Sequence, residues 1–337
     1  MSTLRIAVIG CGSIAKNRHL PEYQNNSNVE IVAVCDRVEE RASEAAALYE
    51  ATAYTKYEQL LAEETIDAVS VCLPNYLHAP VSIAALNAGC HVLCEKPMAT
   101  SREEADQMIE AARKNDKKLM IGHNQRFVPS HQKAKQLIEQ GELGKIYSFR
   151  TTFGHGGPEG WSADGARSWF FKKDQAFIGA MGDLGVHKAD LLRYLLNEEF
   201  TDVAGFIETS AKENADVDDN AVLILKSENG IVGTLAASWA YTAKEDNSTI
   251  IYGENATLRL EDHPDYSLVA QYTNGEVVHY ELGGIQSNDE GGQTNTNVID
   301  HFVESILQDQ DPLINGEEGK KSLEVILAAI ESTKKEV

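Results

Sequence analysis

At 337 residues, 42% of them apolar, the chain is longer than one hydrophobic core usually serves and too apolar to be disordered, which points to two globular domains. Its formal charge of -22, from 52 acidic and 30 basic residues, sets up a long-range field that repels nucleic acid and anionic membrane surfaces, so neither is an expected partner. No run approaches the ~18 apolar residues of a membrane span, and Met1 to Gly10 enters a strand pattern with no export signal, which makes the cytoplasm the expected compartment.

The first 120 residues alternate short apolar runs with amphipathic stretches, the pattern of repeated βα units around a parallel sheet. Strands are expected at Arg5 to Gly10, Glu30 to Cys35, Ala51 to Tyr54, Ala68 to Leu73, His91 to Cys94 and Lys118 to Gly122. Helices are expected at Glu39 to Glu50, His78 to Ala88 and Arg102 to Asn115, the last opened by Ser101 and Glu104 in capping-box spacing. The five cysteines, Cys11, Cys35, Cys72, Cys90 and Cys94, fall in or beside these apolar runs without a C-x-x-C pair. They read as buried reduced thiols, and no metal site is expected.

Beyond about Phe149 the texture changes to longer alternating strands, in order Ile146 to Thr152, Asp202 to Ser210, Ala221 to Lys226, Ile231 to Tyr241, Ser248 to Tyr252, Thr257 to Glu261, Ser267 to Tyr272 and Glu276 to Glu281. Turns such as Glu228-Asn229-Gly230 and Thr273-Asn274-Gly275 join them into an antiparallel sheet. One helix, Ala180 to Leu196, precedes most of this sheet, and two more, Thr296 to Gln308 and Glu317 to Lys335, follow it; the Gly-rich stretch Gly283 to Gln293 reads as a mobile surface loop.

Gly10-Cys11-Gly12-Ser13-Ile14-Ala15 fits G-x-G-x-x-A at the junction of the first strand and first helix. The first glycine allows the tight turn, the second lets a pyrophosphate approach the backbone, and the small Ala15 lets helix and strand pack closely. Pyrophosphate charge then meets the helix N-terminus, whose free N–H groups and dipole act locally against the acidic protein's field. Asp36 ends the second strand 26 residues after Gly10, where its carboxylate can take the adenosine ribose hydroxyls and repel a 2'-phosphate. That favours NAD. Arg37 beside it can pair with a 2'-phosphate, which leaves NADP open, and a helix N-cap is the alternative role for Asp36.

Two further segments carry chemistry: Cys94-Glu95-Lys96-Pro97 just beyond a strand, and Gly182-Asp183-Leu184-Gly185-Val186-His187-Lys188-Ala189-Asp190. Together with the glycine loop they resemble the Gfo/Idh/MocA family, named for glucose-fructose oxidoreductase, inositol dehydrogenase and a rhizopine catabolism protein. The resemblance covers the whole chain. It implies an α/β N-terminal Rossmann domain over residues 1–123, followed by an α+β substrate-binding and oligomerisation domain with a large, mostly antiparallel open sheet over 124–337, the last helices packing back on the first domain.

Lysine after a strand is more often a solvated charge, but in the family context Lys96 becomes a catalytic candidate, with a cis peptide before Pro97 implied by the resemblance. Asp183 and His187, four residues apart, share one face of a helix. Oxidation of an alcohol needs a base for the hydroxyl proton as hydride departs, and His187 suits that task, with Asp183 orienting substrate hydroxyls and Lys96 donating to the reacting oxygen. The alternative is that Asp183 caps the helix and His187 packs in an interface.

Cofactor contacts are expected from Gly10, Gly12, Ser13, Ile14, Asp36, Arg37, Leu73, Pro74, Asn75, His78, Glu95 and Lys96, with His78 equally readable as an ordinary residue opening a helix. Substrate contacts are expected from Lys96, Asp183 and His187, and from Arg126, Trp161 and Trp169; a domain-interface ion pair is the alternative for Arg126, and core packing for the tryptophans. The expected activity is NAD(H)-dependent hydride transfer at a carbinol carbon of a sugar or cyclic polyol, by a homodimer or homotetramer. A glycoside hydrolase that cycles a bound NAD and a cofactor-sensing regulator are the competing functions.

Overall fold

A computed structural model describes residues 3–283 and 296–333. Most of the expected Gly-rich loop Gly283 to Gln293 and the last two residues of the expected closing helix lie outside the described residues. The described chain forms two compact units, one of residues 3–123, 161–169 and 296–320, the other of residues 124–160, 170–283 and 321–333.

The first unit is built on six parallel strands, β1 (Leu4–Ile9), β2 (Val29–Cys35), β3 (Thr52–Tyr54), β4 (Ala68–Val71), β5 (His91–Cys94) and β6 (Leu119–Ile121), in the order β3-β2-β1-β4-β5-β6. β1 and β4 are buried on both faces, which is why they read as apolar runs rather than as alternation. The crossovers are the helices α1 (Leu20–Asn25), α2 (Glu39–Tyr49), α3 (Tyr57–Glu63), α4 (His78–Asn87) and α5 (Arg102–Lys114). α1 continues a helical segment that opens at Ser13 and widens to a π-helical turn over Ala15–His19. At α5 Ser101 Oγ accepts the Glu104 N–H at 3.2 Å, while the Glu104 carboxylate reaches back to the N–H and hydroxyl of Thr100, one residue earlier than a standard capping box.

The strand order reverses between β1 and β4, so loops after these two strands diverge and leave a crevice at their carboxyl ends. The chain returns to this unit late: the Ile121 N–H donates to Ile314 O, and Thr296, just before the next helix, donates both its N–H and its hydroxyl to Glu22 at 2.9 Å.

The second unit carries an eight-stranded sheet of β7 (Ile146–Gly154), β8 (Phe200–Glu208), β9 (Asn220–Ser227), β10 (Val232–Ser238), β11 (Thr249–Gly253), β12 (Ala256–Leu260), β13 (Leu268–Tyr272) and β14 (Val277–Tyr280). Its order is β14-β13-β12-β11-β7-β10-β9-β8. Every neighbouring pair is antiparallel except β7 and β10, which run parallel, a long crossover with helices and the strands β8 and β9 intervening between them in the chain. Side chains of β9 alternate strictly between buried and exposed, the mark of a sheet covered on one face. Helices α6 (Pro129–Glu139), α7 (Lys173–Ala176) and α8 (Val186–Leu196) belong to this unit, α9 (Val298–Leu307) to the first, and α10 (Gly316–Thr333) begins in the first and ends in the second. No described helix is long and apolar enough to cross a membrane.

The open face of the sheet carries an apolar patch. Phe206 is 75% exposed and sits opposite Val222, 49% exposed, on the neighbouring strand; Ile224 and Val232 continue the patch.

Candidate active site

The glycine turn is shaped by a collision it avoids. Gly10 adopts φ +98°, and a Cβ placed on it would stand 2.1 Å from the carbonyl oxygen of Cys72, just past the end of β4. Gly12 faces open space, with nothing within 4 Å of the position a Cβ would take. Ser13 and Ile14, both half-buried, open the helical segment, whose first N–H groups have no intrahelical acceptor. The turn, the open approach at Gly12 and the free amides fit a dinucleotide pyrophosphate.

Asp36 holds this turn in shape. Its Oδ2 accepts the Cys11 N–H at 2.9 Å and its Oδ1 accepts the Val38 N–H at 2.8 Å, so the carboxylate ties the end of β2 to the glycine loop. Each oxygen keeps a further lone pair for a ribose hydroxyl. Arg37 is exposed beside it. After β4, Leu73 and Pro74 are half-buried and Asn75 is buried at the start of a 3-10 turn.

Two expected cofactor contacts are corrected by the structure. His78 is 1% exposed, with Nδ1 2.7 Å from Pro97 O and Nε2 2.7 Å from Leu73 O. Burial lowers its pKa, so the ring is neutral and can donate to one of these carbonyls at a time; both nitrogens face backbone, and the residue braces the two loops rather than touching a cofactor through its ring nitrogens. Glu95 is also buried. Its Oε1 is paired with Arg18 and lies 2.9 Å from His19 Nε2, and its Oε2 accepts the Lys96 N–H at 3.3 Å. A buried carboxylate spent on a buried guanidinium is not free for a nucleotide, and its role is to fix the strand end that carries Lys96. His19 extends the network to Ser70 and Tyr23, and burial, then the Arg18 charge, push the His19 pKa well down. Lys96 itself is half-buried, between buried Glu95 and buried Pro97, and the Lys96–Pro97 peptide is cis.

In the second unit the expected helix Ala180 to Leu196 is not uniform: Met181–Gly185 forms a π-helical turn that leads into α8. Wide turns of this kind are marginal alone and persist where the surroundings hold them. Here Asp218 does so, accepting the Gly179 N–H at 2.6 Å and the Met181 N–H at 2.8 Å, while its carbonyl accepts the Ala180 N–H. A Cβ at Gly179 would fall 1.9 Å from Asp218 O, so only glycine permits this approach.

Asp183 lies within the π turn and His187 at the start of α8, 6% and 8% exposed. The Trp239 indole, fully buried, donates Nε1–H to Asp183 Oδ2 at 3.1 Å, and the Trp239 N–H donates to Asp219 O at 2.7 Å. The Asp219 carboxylate in turn accepts the N–H groups of Ser210, Ala211 and Lys212, which hold its pKa below the usual carboxylate range despite desolvation. Thus Val217-Asp218-Asp219 and Trp239 set the position of Asp183. Sequence reading passed over them, although two adjacent acids just ahead of the apolar strand pattern that begins at Ala221 were a visible signal.

Arg126 is a third correction. It is 3% exposed, its Nε and Nη2 bond both oxygens of Asp190 at 2.8 and 2.7 Å, and its guanidinium lies 5.4 Å from the Tyr194 ring centroid. Ser322 also donates to Asp190, at 2.9 Å. Bidentate geometry and burial make this a pin between the Asn124–Phe127 turn and α8, not a substrate contact. Trp161 and Trp169 bracket the segment that groups with the first unit, both half-buried, with Trp161 O accepting from Ser13 Oγ at 2.8 Å.

Next to His187, Lys188 is fully buried, donates to Asn247 O at 2.8 Å and to Thr249 Oγ1 at 3.3 Å, and shares contact with the Phe153 ring with His187. Burial lowers its pKa from 10.5 to about 7. The unfolded chain keeps this proton to about pH 10.5 and the folded chain releases it near 7, so folding expels a proton between these values and stability rises with pH there. Denaturant unfolding at pH 7 and pH 10 should show a gain in wild type of up to about 4 kcal/mol relative to Lys188→Met, whose profile is flatter. Parallel profiles would contradict the burial of the charge.

Comparison with known proteins accords with this geometry. Residues 4–123 match a family model described as an oxidoreductase family with an NAD-binding Rossmann fold, and residues 131–259 match the GFO/IDH/MocA C-terminal domain. The chain is 30% identical over 263 residues to levoglucosan dehydrogenase of Pseudarthrobacter phenanthrenivorans and 31% identical over 240 residues to inositol 2-dehydrogenase of Salmonella typhimurium, matches covering 71% and 68% of this chain. These stretches span 64% and 65% of the two relatives' own lengths. A solved structure of levoglucosan dehydrogenase in complex with NADH and L-sorbose superposes with a TM-score of 0.86 at 26% identity, covering 99% of this chain and 97% of that one. The expectations for fold class and coenzyme class hold: the chain belongs to the Gfo/Idh/MocA family of oxidoreductases, with an NAD-binding Rossmann fold in its N-terminal part.

Proposed function

We propose that the chain is an NAD(H)-dependent dehydrogenase or reductase acting on a carbinol carbon of a sugar or cyclic polyol, with residues 1–123 as the coenzyme domain and 124–337 as the substrate domain. One observation carries the reading: Asp183 is a buried carboxylate that accepts the Trp239 indole N–H, four residues from His187, in a family of NAD-binding oxidoreductases. NAD supplies the two-electron acceptor for hydride when bound.

His187 takes the hydroxyl proton as the carbon–hydrogen bond breaks, and returns it in the reverse direction. Asp183, positioned by the Trp239 indole, accepts a hydrogen bond from a substrate hydroxyl. Lys96 donates to the reacting oxygen and stabilises the alkoxide as it develops. Trp161 and Trp169 offer ring faces for a sugar or for the coenzyme beside it. We place the protein in the cytoplasm, a reading supported by five buried, unpaired cysteines.

With NAD and a panel of inositols, aldoses and glycosides, wild type should produce the absorbance of reduced nicotinamide, and His187→Ala should lower kcat about 100-fold or more while calorimetry shows NAD binding unchanged. Unchanged turnover in that variant would remove the base. Trp239→Phe keeps the ring that packs on Phe171 but deletes the donor to Asp183, and should lower kcat/KM about tenfold at unaltered NAD affinity. No change would show that Asp183 needs no such support.

The apolar patch on the open face of the sheet supports a homodimer or homotetramer, since Phe206, Val222, Ile224 and Val232 would otherwise stand in water. Light scattering should give a mass of two or four chains, and Phe206→Glu with Ile224→Lys should give monomers; a monomeric wild type at micromolar concentration would refute this.

A further inference from the structure

Residues Trp161–Trp169 group with the first unit rather than with their neighbours in sequence. Hydrogen bonds from Ser162 Oγ to Ser168 Oγ at 2.8 Å and from the Arg167 N–H to Asp164 O at 3.1 Å fold them into a compact loop. Two contacts attach this loop to the elements that frame the adenosine end of the dinucleotide site. Ser13, next to Gly12, donates to Trp161 O at 2.8 Å, and Arg41, on the first turn of α2 and five residues beyond Asp36, meets Asp164 Oδ1 at 2.5 Å.

The charges around this end are unevenly distributed. The Arg41 guanidinium is held by Asp164 first and also feels Asp36, and both influences raise its pKa. Lys16 lies on the same side, in electrostatic reach of Cys11, and is paired with Glu44 at 3.1 Å. Arg37 is exposed and has no acidic partner within ion-pair distance among the described residues. Of the three cations near Asp36, two are therefore already neutralised, and Arg41, the one on the helix face that follows Asp36, is neutralised by a residue more than a hundred positions away.

Discrimination between the two nicotinamide coenzymes turns on one group. A ribose 2'-hydroxyl needs an acceptor such as Asp36, whereas a 2'-phosphate needs a free cation, best a guanidinium with its planar fork of donors. We propose that Asp164 is a specificity-determining residue, which withholds Arg41 from an adenosine 2'-phosphate and so enforces NAD over NADP together with Asp36. Loss of Asp164 releases the guanidinium on the first turn of α2, where a phosphate on the ribose held by Asp36 is within its reach. The proposal rests on the reading that the adenosine ribose lies at Asp36.

Isothermal titration calorimetry with NAD, NADP, ADP-ribose and 2'-phospho-ADP-ribose tests it without reference to turnover. Wild type should prefer the ligands lacking the 2'-phosphate. Asp164→Ala, a change at a part-exposed loop position, should tighten NADP and 2'-phospho-ADP-ribose about tenfold and leave NAD within about threefold, and Arg41→Ala combined with Asp164→Ala should abolish the gain. Equal weakening of all four ligands would mean that the loop only covers the site, and an NADP gain that survives the double variant would mean that Arg41 is not the cation involved; either overturns the proposal. Failure of wild type to bind NAD or ADP-ribose at all would instead overturn the coenzyme reading beneath it.

Discussion

Buried carboxylates accepting backbone N–H groups hold the chain wherever it must leave regular structure to present a functional group. Asp36 does this for the glycine loop, Asp218 for the π turn that carries Asp183, and Asp219 for residues 210–212. Irregular backbone leaves amides without partners, and a carboxylate is the side chain that can satisfy two or three of them at once. The cost is desolvation, visible at Asp218, whose pKa burial raises to about 6 against the pull of its amide donors.

The same economy bears on the coenzyme. A chain of charge -22 repels an anionic dinucleotide at long range, so attraction has to come from groups within a few ångströms. The free amides after Gly12 supply it for the pyrophosphate. Around the ribose the balance tips the other way: Glu44 and Asp164 answer two of the three nearby cations, and Asp36 adds a carboxylate that suits a neutral hydroxyl better than a second phosphate.

Much of the fold was legible because its determinants are local. The parallel strands read as apolar runs since both faces are buried, the antiparallel ones as alternation since one face is open, and Ser101 announced α5 by its side-chain oxygen alone. The short helix α3, and α6 beyond the Asn124–Phe127 turn, have no side-chain cap to announce them and went unread. Parallel pairing of β7 with β10 was equally invisible, because register between distant strands leaves no trace in either strand's own pattern.

At the site, residue type alone separated candidates from background, and partners then reassigned some of them. His78, Glu95 and Arg126 have the chemistry of ligand contacts, but each also engages a group distant in sequence: the Pro97 carbonyl, the Arg18 guanidinium, the Asp190 carboxylate. By itself the sequence determined the glycine turn, the acid at the end of the second strand and the Asp183–His187 spacing, because these depend on neighbours within a few residues and on the steric freedom of glycine. Only the tertiary structure decided which carboxylates hold backbone amides and which are held by a side chain such as the Trp239 indole, because that is set by burial and by whatever hydrogen-bonding group the fold brings within about 3 Å.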